Sequence, residues 1–218
     1  MHEDSVSTTD RTKVRRLSDR ARYDWETIHS ILDEGLVCHL GFAVDGRPWV
    51  MPTTYVRVDD QLYVHGAAAN FALKTLASGV DACVTVTLLD GLVLARSAFH
   101  HSMNYRSVMI FGRAERVDDA QEQYDSMVAI VEHLVPGRSA DTRLPSPTEL
   151  RKTLIVRLSL AECSAKVRTG GPLDDEEDMQ LGHWAGVLPL VVAPGPPIPD
   201  VDDPVPDYLT AWPTTRAR

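Results

Sequence analysis

LVCHLGFAVDGRPWVMPTTYVRVDDQLYVHG, residues 36–66, decides the fold. Two β-rich runs, 36–44 and 48–58, stand on either side of Asp45-Gly46-Arg47, the pattern of a tight hairpin. Asp59-Asp60 then turns the chain into a third run, QLYVHG (61–66). Three sequential strands with such short turns form an antiparallel meander.

On its N-terminal side, YDWETIHSILDEG (23–35) changes period. Trp25, Ile28, Ile31 and Leu32 share one helical face, and Gly35 fits a helix stop. Residues 1–20 are polar and read as a flexible arm. On the C-terminal side, NFALKTLASG (70–79) predicts a short helix closed by Gly79, and 81–98 a second hairpin turning on Asp90-Gly91. A strand follows at about 104–117, then a helix over 118–134, whose acidic first turn suits its dipole. A loop spans 136–147, and 153–169 reads as a closing strand with a bulge near Ala161. The expected organisation is an arm (1–20), one domain (21–192) and a Pro-rich acidic tail (193–218). Its core is six or seven antiparallel strands with short helices, mainly β, and such strands close or stack to hide their edges.

Composition narrows the function. With 44% hydrophobic residues the chain can build a core, and 31 acidic against 22 basic residues give a net charge of −9. No Lys/Arg block is present, so neither nucleic acid nor an anionic membrane is an expected partner. No apolar run approaches the ~20 residues that span a bilayer. A soluble, cytoplasmic protein is expected. Cys38, Cys83 and Cys163 are far apart, lie in or beside apolar segments, and read as buried thiols in a reducing compartment.

Two segments carry chemistry. In YVHGAAANFALK (63–74) a strand ends at His65, Gly66 and three alanines let backbone approach a ligand, and Asn70 can cap a helix. Lys74 lies one turn later on the same helical face, and a helix N-terminus with a lysine suits a phosphate. A capped surface helix with a solvated lysine is the plain alternative. In HHSMNYRSV (100–108), strand alternation sends His100 and His101 to opposite faces, so the pair does not clasp one metal, and no metal site is expected. Asn104 and Arg106 share one face, Tyr105 and Ser107 the other; Arg106 on the Lys74 side would complete an anion site. The sequence has no G-x-S-x-G elbow, P-loop or G-x-G-x-x-G.

The order of elements, LGFAVDGRPWVMPTTYVRVDDQLYVHGAAANFALKTL (40–76), SMNYRSVMIFGRAERVDD (102–119) and GHWAGVLPL (182–190) resemble the pyridoxamine 5′-phosphate oxidase-like, FMN-binding split-barrel superfamily, in particular its 5-nitroimidazole-resistance branch. The likeness covers about residues 20–192. It implies an antiparallel split β-barrel and a homodimer holding two FMN molecules between the subunits. It also implies site residues: Lys74, helped by Asn70 and Arg106, on the FMN phosphate; Pro52, Thr53 and Thr54 beside the ring; His65 and Gly66 between phosphate and ring; Ser107 lining the groove. Trp184 would pack over the partner's ring. His65 would be the catalytic proton carrier.

FMN supplies hydride chemistry itself, which explains the missing nucleophile and base. The resemblance therefore implies an oxidoreductase passing electrons from NAD(P)H to a small electron-poor acceptor, a nitroaromatic or a quinone. The chain departs from pyridoxamine 5′-phosphate oxidases proper, whose terminal R-x-H element is missing from PVPDYLTAWPTTRAR. Two other readings stay open: a haem-binding split barrel with His65, His100, His101 or His183 as axial ligand, and a flavin module without turnover. Deazaflavin F420 in place of FMN is a variant of the first reading.

Overall fold

A computed structural model describes residues 4–212; the first three residues of the expected arm and 213–218 of the expected tail lie outside it. The chain forms strands β1 (Ala21–Arg22), β2 (Val37–Val44), β3 (Arg47–Thr54), β4 (Val56–Val58), β5 (Gln61–Ala67), β6 (Asp81–Leu94), β7 (Ser102–Arg113), β8 (Glu115–Arg116), β9 (Thr153–Ser159), β10 (Cys163–Arg168) and β11 (Gly186–Pro189). Helices are α1 (Trp25–Glu34), α2 (Phe71–Ala77), α3 (Ala120–Leu134), α4 (Pro147–Arg151) and α5 (Asp207–Thr210). A seven-stranded sheet runs β1-β10-β7-β6-β2-β3, with β11 added on β6, and a four-stranded sheet runs β4-β5-β9-β8. All pairings are antiparallel. The two sheets face each other across one core without closing, a split β-barrel.

The 45–47 hairpin forms as its sequence predicts, but the three runs of the expected meander are divided between two sheets. Asp45 (φ 49°) and Gly46 (φ 74°) are both left-handed, the two-residue hairpin geometry that Asp-Gly favours. Asp59 also takes positive φ (50°), an angle a short polar side chain tolerates. The new sheet begins within the second run: at Tyr55 the 48–58 segment breaks into β3, paired with β2, and β4, paired with β5 of the third run. Tyr55 is fully buried, and its hydroxyl donates to the Leu32 carbonyl at 2.7 Å, tying the sheet crossover to α1. Gly35 ends α1 in extended conformation (φ −66°), not in the left-handed one expected of a stop. A Cβ there would meet the Tyr55 hydroxyl at 2.5 Å and Val86 at 2.6 Å, so the position requires glycine for close approach.

Alternation builds the core. Cys38, Leu40 and Phe42 of β2, Val84 and Val86 of β6, and Val108 and Ile110 of β7 face Leu62 and Val64 of β5 and Val156 and Leu158 of β9. Ile28, Ile31 and Leu32 of α1 plug one end. Each such side chain contributes roughly 1.5–3 kcal/mol by burial. β9 is buried on both faces, because Ile155 points the other way and packs with Val56, Tyr63, Val117 and Ile130 under α3. Burial pushes the Cys38 and Cys163 thiols up to about 12, so both are inert protonated hydrophobes.

Three expectations are corrected. The 81–98 segment is not a hairpin: β6 runs fourteen residues without turning, with a register shift between Leu89 and Gly91. Asp90-Gly91 is a bulge, and a Cβ on Gly91 would lie 3.0 Å from Val187 and 3.1 Å from the Leu188 carbonyl, so this glycine lets β11 approach. The 153–169 segment is two strands in different sheets, and the expected bulge at Ala161 is the corner between them. The N-terminal segment lies along the barrel. Val6 N–H bonds the Tyr23 carbonyl (2.9 Å), the Thr9 hydroxyl bonds Glu162 (2.6 Å), and Arg11 stacks 4.6 Å from the Phe111 ring centroid. The tail has no regular secondary structure from 193 to 206 and then docks. Tyr208 donates to Asp141 (2.7 Å) and the Trp212 indole to the Leu134 carbonyl (2.9 Å).

Gly91→Ala should destabilise the fold by about 1–3 kcal/mol through overpacking under β11. Urea unfolding measures the loss, and faster proteolysis within 170–190 should accompany it. A Gly91→Ala protein as stable and as protease-resistant as the parent would contradict the close approach.

Candidate functional site

The polar residues collect in three places. The first is the α2 end of the barrel. Asn70 caps α2, its side-chain oxygen accepting from Leu73 N–H at 3.1 Å, which leaves the Asn70 amide Nδ2 without a hydrogen bond among the described residues. Lys74 is exposed one turn on and makes no ion pair among the described residues. Phe71 packs on Trp49 of β3 (ring centroids 5.4 Å), so α2 is tied to the free edge of the seven-stranded sheet. Both rings are about half exposed. Gly66 faces inward, and a Cβ there would strike Leu73 at 2.8 Å, so it serves the packing of α2 and not the approach of a ligand.

The second place is the outer face of the large sheet. β3 pairs only with β2 and is an edge. Alternation puts Pro52 and Thr54 on the outer face and Thr53 on the inner, and it puts Ser107 of β7 on the same outer face. Pro52 has no N–H, and successive N–H groups of a strand point to alternate sides, so only one of Thr53 and Thr54 can donate along this edge. The face also exposes Val37 (45%), Val50 (69%), Leu89 (50%) and Met109 (41%), an apolar surface left uncovered among the described residues. Ser107 sits beside Lys166, whose ammonium reaches the Arg16 carbonyl (3.2 Å), so the N-terminal segment borders this face.

The third place is the opposite end of the barrel. Arg106 is not available for a phosphate. Its guanidinium is gripped by both Glu34 oxygens and both Asp90 oxygens, with Nη2 2.9 Å from Glu34 Oε1 and 2.7 Å from Asp90 Oδ1. These two carboxylates raise the Arg106 pKa still further. Sequence reading missed both partners. Glu34 ends a helix and Asp90 sits in the bulge, and only the fold brings them together. Above this end, the 95–101 loop carries Phe99, 90% exposed, and His101. His101 Nδ1 lies 2.9 Å from the Ser97 carbonyl. A carbonyl only accepts, so Nδ1 holds the proton and Nε2 presents its lone pair, the arrangement common to metal-ligating histidines. Trp184, two-thirds exposed, folds over Gly186 next to β6. It is not a core residue.

His65 lies on the face of β5 that carries Tyr63, away from Leu62 and Val64. Its Nδ1 is buried without a hydrogen-bond partner among the described residues, and burial holds the imidazole below its ordinary range, hence neutral at pH 7. The sequence-predicted residues therefore do not converge on one point: Asn70, Lys74 and Gly66 share the α2 end, Pro52, Thr54 and Ser107 the outer face, and Arg106 and Trp184 the far end.

Comparison with known proteins gives the setting. A family model described as pyridoxamine 5′-phosphate oxidase matches residues 24–167. The flavocytochrome Anf3 from Azotobacter vinelandii is 43% identical, with a TM-score of 0.86 over 93% of this chain and 96% of that one. The FAD and heme binding protein from Mycobacterium smegmatis is 34% identical, with a TM-score of 0.84 over 88% of this chain and 96% of that one. A putative 5-nitroimidazole antibiotic resistance protein from Bacteroides thetaiotaomicron shares the fold at 24% identity, with a TM-score of 0.57 over 67% of this chain and 86% of that one. No curated protein matches.

Two outcomes test the geometry. Arg106→Met leaves two carboxylates facing each other and should cost about 1–3 kcal/mol of folding stability, with no loss of bound flavin; unchanged stability with flavin lost would restore Arg106 to the site. His65 and His29 are both held below the ordinary histidine value near 6.5 by burial. The unfolded chain therefore takes up protons first, and stability declines as pH falls through 6.5 toward the folded values. His65→Gln should flatten that decline, read from urea midpoints at pH 7.5 and 5.5.

Proposed function

Because the chain belongs to the pyridoxamine 5′-phosphate oxidase family of split barrels, we propose that it is a redox protein holding a flavin and a haem at opposite ends of the barrel. The observation that carries this reading is the likeness to the flavocytochrome over nearly the whole chain. The reaction proposed is electron transfer from a reduced nicotinamide to a small electron-poor acceptor, a quinone or a nitroaromatic. When bound, the flavin supplies hydride uptake and the haem one-electron chemistry.

The residues present fit both groups. At the α2 end Lys74 offers an unpaired ammonium and Asn70 a free amide donor, and together they would hold a flavin phosphate. Backbone groups of Thr53 and Thr54 on the free β3 edge would orient the ring. His65, neutral and with an uncommitted Nδ1, would hold or pass a proton at that atom. The mycobacterial relative favours FAD over FMN. At the other end His101, its Nδ1 bonded to the Ser97 carbonyl, would offer Nε2 to a haem iron, with Phe99 and Trp184 as apolar cover. The apolar outer face around Val50 and Met109 would be covered by a second copy, making a homodimer with the flavin groove between subunits.

The visible spectrum of the purified protein should show flavin bands together with a Soret band. Lys74→Ala should weaken flavin binding roughly tenfold to a hundredfold, the loss of one charged hydrogen bond, and keep the Soret band. His101→Ala should do the reverse, and chromatography of the released flavin identifies FAD or FMN. A protein that binds neither group refutes the reading. Substitutions that change neither band move the sites elsewhere.

A further inference from the structure

We propose that His100, Asp175 and Asp178 form a site for a divalent transition-metal ion, at the same loop that carries His101 and Phe99. His100 is not on a strand, as its sequence context suggests. It ends a single 3-10 turn, Ala98–His100, in the loop between β6 and β7. The acidic run 174–178 crosses directly over this loop. His100 Nε2 lies 3.1 Å from Asp175 Oδ2, and donor atoms of His100, Asp175 and Asp178 all fall within 4.8 Å of one another. A tetrahedral ion with bonds of about 2.0–2.2 Å separates its ligand atoms by roughly 3.3 Å. The His100–Asp175 pair is already close to that spacing, and the half-buried Asp178 has a carboxylate oxygen within 4.8 Å of both.

The convergence is built from outside the cluster. Asp174, next in sequence, has a side chain only 1% exposed and accepts from Arg96 N–H (2.8 Å) and Arg96 Nη1 (2.9 Å), clamping the crossing segment to the loop. Asp178 N–H bonds the Asp175 carbonyl (3.0 Å), a turn that sets the two carboxylates side by side. Arg96, the cation of this region, is thereby engaged with Asp174. Asp175, Glu176, Glu177 and Asp178 are left without a lysine or arginine partner among the described residues, and His100 alone faces them. A protonated imidazole balances one carboxylate; a divalent ion balances two and uses the imidazole nitrogen as well.

The donor set names the class of ion. One imidazole nitrogen with two carboxylate oxygens, leaving a position for water, suits Zn²⁺ or another late first-row divalent ion. Mg²⁺ and Ca²⁺ prefer all-oxygen shells of six or more ligands. Bound there, the ion would pin the segment that leads to His183 and Trp184 onto the β6–β7 loop.

Calorimetric titration of the full-length protein, tag removed and treated with chelator, tests this with ZnCl₂ as probe and MgCl₂ as control. One Zn²⁺ per chain is expected, weakened at least tenfold in both His100→Ala and Asp178→Asn, with no saturable Mg²⁺ binding. Asp178→Asn keeps the size and shape of a half-buried side chain, so circular dichroism should match the parent and any loss of affinity reports the ligand. Absence of saturable Zn²⁺ binding, or binding of parental affinity in either variant, overturns the proposal.

Discussion

Fourteen residues of β6 hold this molecule together. β7 pairs along almost the whole strand on one side, while β2 takes the first half of the other side and β11 the second. A strand shared in this way needs a local change of course, and the bulge at Asp90-Gly91 supplies it. The glycine admits β11 at close range, and the aspartate is turned toward Arg106. Through Glu34 the same arginine reaches the end of α1, so one bulge couples the central strand, the helix that plugs the barrel and the late segment carrying Trp184.

That coupling divides the cations between structure and function. Arg57 with Asp33, Arg96 with Asp174, Arg106 with Glu34 and Asp90, and Arg157 with Glu115 and Glu122 all hold elements to one another. Lys74 stands outside these networks. An exposed lysine is ordinary by itself. It lies beside a capping asparagine, a pair of half-exposed aromatic rings and an open sheet edge, which is why it is proposed to hold a phosphate.

The two ends of the barrel differ in kind. The α2 end offers neutral and cationic donors, with His65 kept neutral by burial. The far end offers histidines on a loop, exposed aromatic side chains and a dense run of carboxylates. This difference between the ends is the physical reason for proposing an anion-binding group at one and a metal-binding group at the other.

Much of this was legible in residues 36–66 and their neighbours. Alternation fixes which side chains enter the core, Asp45-Gly46 fixes the hairpin, and Asn70 fixes the start of α2, because each depends only on residues a few positions apart. The family likeness came from the same segments. The roles of Asp90-Gly91, Arg106 and His100 were not legible. An Asp-Gly pair serves a turn or a bulge equally well, and only the arrival of β11 selects the bulge. Arg106 looks like a free anion ligand until Glu34 and Asp90 are brought to it, and His100 like a strand residue until the acidic run crosses above it. Local sequence determines backbone conformation and the facing of side chains; which charges meet is decided by elements distant in the chain, through packing that no short stretch contains.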